Sequence, residues 1–240
     1  MREHDYYLKN DSFGADIEFQ SVLNNSKFTY GVDYSKVDTS RLRTTKTIGG
    51  STDVAKDTPD TDITRTGVYL QNEFSKGKFD FISGLRYDSY ELDAKPDDYV
   101  SSSAAFDLDA DKLSPKLAVT YNINEDLSTY AQYSQGFRAP AYYEVNANFS
   151  NPMRGYTTKS NPDLKPETSD SYEVGLRGRY SQIDFDVSGF YNKYDNFIEQ
   201  LVNTGVVGGL TTYQTQNVDS AEIFGACLLY TSDAADDGLC

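Results

Sequence analysis

The side chains that could do chemistry gather in one stretch, Gly136 to Glu167, GFRAPAYYEVNANFSNPMRGYTTKSNPDLKPE. It carries two arginines, Arg138 and Arg154, and three tyrosines, Tyr142, Tyr143 and Tyr156. Elsewhere the sequence is poor in catalytic equipment. The one histidine, His4, is close to the first residue, which removes histidine-based triads and histidine-rich metal sites. Gly205 to Gly209 lacks the Lys-Ser/Thr that completes a phosphate-binding loop. Asp107, Asp109 and Asp111 place carboxylates on alternate positions, a pattern calcium could use, yet the loop glycine and distal glutamate of an EF-hand are missing. An enzyme is not expected. The formal charge of -15 also argues against nucleic acid as a partner, because no basic face could offset it.

The elements that position this stretch read as strands. Phe13, Ala15, Ile17, Phe19, Ser21 and Leu23 alternate with Gly14, Asp16, Glu18, Gln20 and Val22, a period of two with one apolar and one polar face. Asn24-Asn25-Ser26 turns the chain, and Phe28, Tyr30, Val32 and Tyr34 continue the apolar row. The same alternation returns around Val68, Leu85, Val119, Ala131, Val174, Val187 and finally from Tyr213 to about Ala226, giving about nine strands of about ten residues or more. Long polar connections are expected at 39–62, 93–112, 136–167 and from Leu201 through Gly205, Gly208 and Gly209. Short ones separate them at Ser75-Lys76-Gly77, Asn122–Asp126 and Ser181-Gln182.

Tight turns at one end and extended loops at the other are how transmembrane barrels are built. A sandwich would show Greek-key crossings and two apolar inner faces, whereas here the second face carries Asp, Glu, Arg and Gln. No run approaches 18 apolar residues, so helical spans are not expected, but a barrel needs only every second residue to be apolar. The 20 tyrosines and absence of tryptophan suit strand pairing and an interfacial girdle. The fold expected is therefore all-β, a partial transmembrane antiparallel β-barrel.

The long loop is bounded by two boxes, Phe137-Arg138-Ala139-Pro140 and Asn161-Pro162-Asp163-Leu164-Lys165-Pro166-Glu167, which hold three of the seven prolines. Proline donates no ladder hydrogen bond, so the strands must stop there. This pair of boxes resembles the extracellular loop and following strand of TonB-dependent outer-membrane receptors, most of all their haem and haemoglobin uptake branch. The first box is shared with ferric-siderophore receptors, the alternative reading. A passive porin or adhesion barrel and a soluble β-sandwich binding module are further alternatives, from other classes. The resemblance covers about residues 5–226. It implies about nine strands of a barrel that closes with about 22, an outer-membrane location in a Gram-negative bacterium, and no permanently bound cofactor. It further implies haem as a transported ligand, haemoglobin as a donor, outer-membrane lipid around the wall, and the energy-coupling protein TonB acting on a plug that this sequence does not include.

The haem branch usually carries a ligating histidine between the two boxes. Residues 141–160 contain none. Tyrosinate is an alternative axial ligand, and Tyr156 is the first choice, with Gly155 giving backbone freedom and Arg154 favouring the phenolate or meeting a propionate. Tyr142 and Tyr143 are assigned to an aromatic rim. Arg138 is expected to brace the loop through Glu144 or Glu167. The ligand-binding loop thus comprises Phe137, Arg138, Ala139, Pro140, Tyr142, Tyr143, Arg154, Tyr156, Asn161, Pro162, Asp163 and Leu164.

Two expectations concern the ends. Residues 1–5 contain no apolar signal region, so the chain is expected to begin within a longer receptor. Residues 227–240, CLLYTSDAADDGLC, break the strand pattern and read as a non-native tail, the rival being a hairpin closed by Cys227 and Cys240. In hydrocarbon each unpaired backbone group costs several kcal/mol, so this piece alone is not expected to fold stably; a sharp reversible transition in detergent would contradict that.

Overall fold

The computed structural model describes residues 2–47, 49–100 and 104–232. Twelve strands follow in order: β1 (Arg2–Leu23), β2 (Ser26–Thr47), β3 (Thr52–Ala55), β4 (Asp60–Lys76), β5 (Phe79–Lys95), β6 (Leu108–Asn122), β7 (Leu127–Arg138), β8 (Ser150–Asn151), β9 (Tyr156–Lys159), β10 (Glu167–Arg179), β11 (Ile183–Val207) and β12 (Leu210–Ser232). One helical turn, α1 (Tyr142–Val145), and a 3-10 turn (Pro152–Arg154) lie between β7 and β9. The nine long strands form one open antiparallel sheet in the order β1-β2-β4-β5-β6-β7-β10-β11-β12, and the three short ones attach to its upper edge.

Register carries the apolar row from strand to strand. Ile17 faces Val32, which faces Val68, then Tyr87, then Leu113. Further along, Val119 faces Ala131, then Val174, Gly189 and Ala226. A one-residue slip anywhere would turn this row inside out. Its members stand clear of other protein atoms: Phe19 is 56% exposed, Leu70 51% and Val174 61%. A contiguous apolar face of that kind belongs in hydrocarbon.

Rings bound the face above and below. Tyr133, Tyr172 and Tyr191 form an upper belt with centroids 5.0 and 6.3 Å apart. Phe74 with Phe81 and Phe79 with Tyr121, both at 4.8 Å, form a lower one. On β5 the belts are Phe79 and Tyr87, about 26 Å apart along the strand at about 3.3 Å per residue, or about 20 Å of height at the usual tilt.

The opposite face is polar and internally paired. Arg86 Nη1 donates to Asp33 at 2.9 Å and its Nε to Asp88 at 2.8 Å. Tyr69 donates to Glu18 at 2.8 Å and Tyr130 to Glu173 at 2.6 Å. Gly67 lies beneath the Arg86–Asp33 pair, where any Cβ would overlap both side chains.

Above the belts the structure departs from the sequence reading. The strands flanking the expected loops at 39–62 and 93–112 continue, β2 to Thr47 and β4 from Asp60, β5 to Lys95 and β6 from Leu108. Outside hydrocarbon neither face needs apolar residues, so the alternation stops while the ladder does not; Pro59 and Pro96 mark where pairing ends. The glycine loop expected after Leu201 is instead the tip of a tall hairpin. Gly208 and Gly209, at φ 61° and 82°, make a two-residue turn between β11 and β12. β12 also continues past Ala226 to Ser232, paired to Ile183. Cys227 is exposed on it, and Cys240, its proposed partner, lies outside the described residues. Asp107 accepts from the Ala94 amide at 2.8 Å, and among the described residues no group of acidic, His or Cys side chains could hold a metal ion.

Candidate functional site

The connection between β7 and β10 leaves the wall and turns inward. Phe137 and Arg138 end β7, and Ala139 and Tyr142 then pack on Ile63, Tyr90 and Leu92, at inward positions of β4 and β5. Leu92 is 0% exposed and Tyr90 3%. Pro140 is buried, and its carbonyl accepts from Tyr90 Oη at 3.0 Å. Burial pushes the Tyr90 phenol up to about 12, so it stays a proton donor. The first box thus folds the loop over the mouth of the lumen and anchors it there.

Arg138 braces the loop on both sides at once. Its Nη1 contacts Glu144 Oε2 at 3.0 Å and its Nη2 contacts Glu167 Oε2 at 3.2 Å. Glu144 is only 3% exposed, and a carboxylate so buried needs several partners. It also accepts from the Ala141 amide at 2.8 Å, at the start of α1, and from Gln200 Nε2 at 3.0 Å. Glu167 accepts in addition from the Ile198 amide at 3.3 Å. One arginine therefore joins β7, α1 and β10, and the carboxylates it holds reach β11.

The second box is a latch onto the hairpin. The Asn161 amide donates to the Val145 carbonyl at 2.9 Å, its side chain donates to the Thr215 carbonyl at 2.8 Å, and its Oδ1 accepts from the Asp163 amide at 3.1 Å. Leu164 is 3% exposed, while Pro162 and Asp163 face solvent. Asn217 on β12 accepts from the Lys165 amide at 2.8 Å and donates to the Lys165 and Asn196 carbonyls at 3.0 and 2.7 Å. Asn196 sits at φ 54°, a left-handed position that asparagine tolerates. Asn146 and Phe106 exchange two hydrogen bonds of 2.8 and 2.9 Å, tying in the β5–β6 connection. Gln200, Asn146 and Asn217 gave no signal in the sequence; a lone amide in a polar segment has no periodicity to betray it.

Tyr156 opens β9, which pairs in parallel with Thr211–Gln214 of β12. Its ring is half-buried between Phe149 at 5.8 Å and Tyr213 at 6.3 Å. Its hydroxyl makes no hydrogen bond among the described residues. Arg154 is exposed in the preceding 3-10 turn and pairs with no carboxylate among the described residues; Gly155, at φ 73°, closes that turn. Tyr142 and Tyr143 stack edge to face at 5.3 Å, the first against the buried cluster, the second 46% exposed at the rim.

Two further pairs clip the neighbouring loops to the cap. Lys56 contacts Asp97 at 2.5 Å and Asp60 at 2.7 Å. Arg43 contacts Asp57 at 3.3 Å and covers the Phe149 ring at 5.0 Å. Burial pushes the Asp57 carboxyl above its usual range against the pull of Arg43. For Asp97 the ammonium of Lys56 and two backbone amides outweigh burial, and its carboxyl lies below that range.

A ladder with an apolar outer row between aromatic belts, a paired polar inner row and an inward cap defines the wall of a transmembrane β-barrel. The chain belongs to the TonB dependent receptor-like, beta-barrel family, whose model matches residues 2–231. Among its relatives, the hemin receptor of Yersinia enterocolitica is 29% identical over 246 residues, covering 90% of this chain and 33% of the relative. The hemoglobin-haptoglobin utilization protein B of Neisseria meningitidis serogroup A is 32% identical over 141 residues, 55% of this chain and 17% of that one. Among solved structures, the copper transporter OprC superposes with a TM-score of 0.74 at 15% identity, covering 97% of this chain and 38% of that one, a likeness of fold. The chain spans about a third of the length of the first relative.

Proposed function

We propose that this chain forms the ligand-facing wall and cap of an outer-membrane receptor that takes up haem, from haemoglobin or another haemoprotein, with TonB as its energy-coupling partner. The observation that carries the reading is Tyr156 itself, a half-buried phenol packed between Phe149 and Tyr213 whose oxygen makes no hydrogen bond among the described residues, on a cap braced by Arg138 and Asn217. Phenolate is a competent axial ligand for ferric haem. Arg154, exposed two residues away, is placed to meet a propionate. The hemin receptor and the haemoglobin-haptoglobin protein among the relatives support the cargo class.

The test is the visible spectrum of haemin bound to the intact receptor. Replacing Tyr156 by Phe should shift the Soret band and weaken binding about tenfold or more, whereas an unchanged spectrum would end the assignment. A ferric-siderophore receptor is the second reading, favoured by the absence of histidine from residues 141–160. Ferric siderophore binding in the intact receptor that survives Tyr156→Phe, with no haemin uptake, would select it.

A further inference from the structure

The wall is not continuous. β6 pairs with β7 only from Lys116↔Ser134 downward, although β6 runs on beside β5 to Leu92↔Leu108 and β7 beside β10 to Arg138↔Glu167. The split begins at Pro115, which has no N–H to donate. Above it the two strands part, and half of their backbone groups there have lost their ladder partners. The breach holds a cavity of about 460 Å³ beneath the first box.

Residues of both faces line it. Arg65, Arg86, Tyr90 and Ser114 occupy inward ladder positions, while Gln135 and Phe137 share the parity of the lipid-facing row. The cavity therefore passes from the lumen toward the outer surface, just above the upper belt.

Its polar groups are unequally satisfied. Arg86 is taken by Asp33 and Asp88, and Arg138 by Glu144 and Glu167. Asp88, the carboxylate in the cavity wall, is thereby neutralised. Arg65 has no ion pair or hydrogen bond among the described residues; its guanidinium lies over the Tyr90 ring at 5.3 Å. Ser114 Oγ is buried and unpartnered. Arg65 is exposed and, among the described residues, carries no ion pair, while the buried Ser114 hydroxyl has no acceptor; on one cavity wall both can donate to the same anion.

We propose that the β6–β7 breach is a binding site for an oxyanion, a phosphate or carboxylate group held by Arg65 and Ser114. The shared chemistry admits two sources: the phosphate of an outer-leaflet lipid entering from the membrane side, or a carboxylate of cargo passing through the lumen. Only the second rests on the haem reading above.

Equilibrium binding to the intact receptor tests the site with inorganic phosphate, with monophosphoryl lipid A in nanodiscs, and with haemin against haemin dimethyl ester. Arg65→Gln should weaken phosphate about tenfold and Ser114→Ala severalfold, with Arg65→Lys restoring part of the loss. A matching loss for lipid A identifies the lipid source. A loss for haemin but not its ester, with the Soret band unmoved, identifies cargo and leaves the Tyr156 assignment a separate question. Should phosphate fail to bind, or bind wild type and both variants alike, the site does not exist.

Discussion

The wall and the cap are held together by different physics. From Phe79 to Tyr87 the wall is a repeating ladder in which parity sets the face each side chain shows, with Ile82 and Ser83 the two out of type. From Ala139 to Glu167 the cap has almost no repeat. Its order comes from single polar groups reaching far along the chain: Glu144 to Gln200, Asn146 to Phe106, Asn161 to Thr215, Lys165 to Asn217. The wall should therefore tolerate any substitution that respects its row and fail at one that does not. The cap should be sensitive to particular atoms and indifferent to hydrophobicity.

The largest expected effect is on the wall. Ala131→Arg puts a charge into the lipid-facing row between Val119 and Val174 and should cost about 2–4 kcal/mol. Unfolding of the intact receptor in lipid measures it, and Gln132→Arg next door, on the polar row, should cost little.

Arg138→Ala should come next, confined to the cap. It strips Glu144, 3% exposed, of its counter-ion but leaves Gln200 and the Ala141 amide in place, and Arg138 itself is half exposed. A loss of about 2–3 kcal/mol is expected, below the full cost of orphaning a buried charge. Hydrogen exchange should show amides of residues 141–167 opening about 30- to 100-fold more often while β4 and β5 stay protected. Tyr90→Phe is smaller, about 1 kcal/mol, since it leaves one buried carbonyl without a donor.

The smallest effects are those of pH on the clips. Asp97, with its carboxyl lowered, contributes stability that is present above about pH 3.9 and lost as pH falls through its folded value. Asp57, raised, behaves oppositely: its contribution is full in acid and lost as pH rises through its folded value. Exchange in the loop between β2 and β4 should thus slow slightly on mild acidification and quicken below about pH 3.9, and Asp57→Asn should remove the first phase only.

The same contrast explains what the sequence made legible. Nine long strands, their parity and the turns at Asn24 and Gly77 follow from period-two alternation, because the bilayer imposes one rule on the whole height of the wall. Where hydrocarbon ends the rule lapses, so the upper parts of β2 and β11 read as loops although their ladders continue. Arg138 with Glu144 and Glu167 was within reach because opposite charges flank the two boxes. Gln200 and Asn217, 62 and 79 positions beyond Arg138, were not. Nor was the breach at Pro115: the proline is visible in the sequence, but only register shows which neighbour it fails to hold.

The central claim is that one row of each strand faces lipid and the other an aqueous interior. Nitroxide labels placed singly from Gly84 to Asp88 on β5 of the intact receptor, read by collision with oxygen and with a water-soluble nickel chelate, test it directly. The account predicts oxygen accessibility peaking at Leu85 and Tyr87 and nickel accessibility at Gly84, Arg86 and Asp88. Uniform accessibility along the five positions, or the opposite phase, would contradict it.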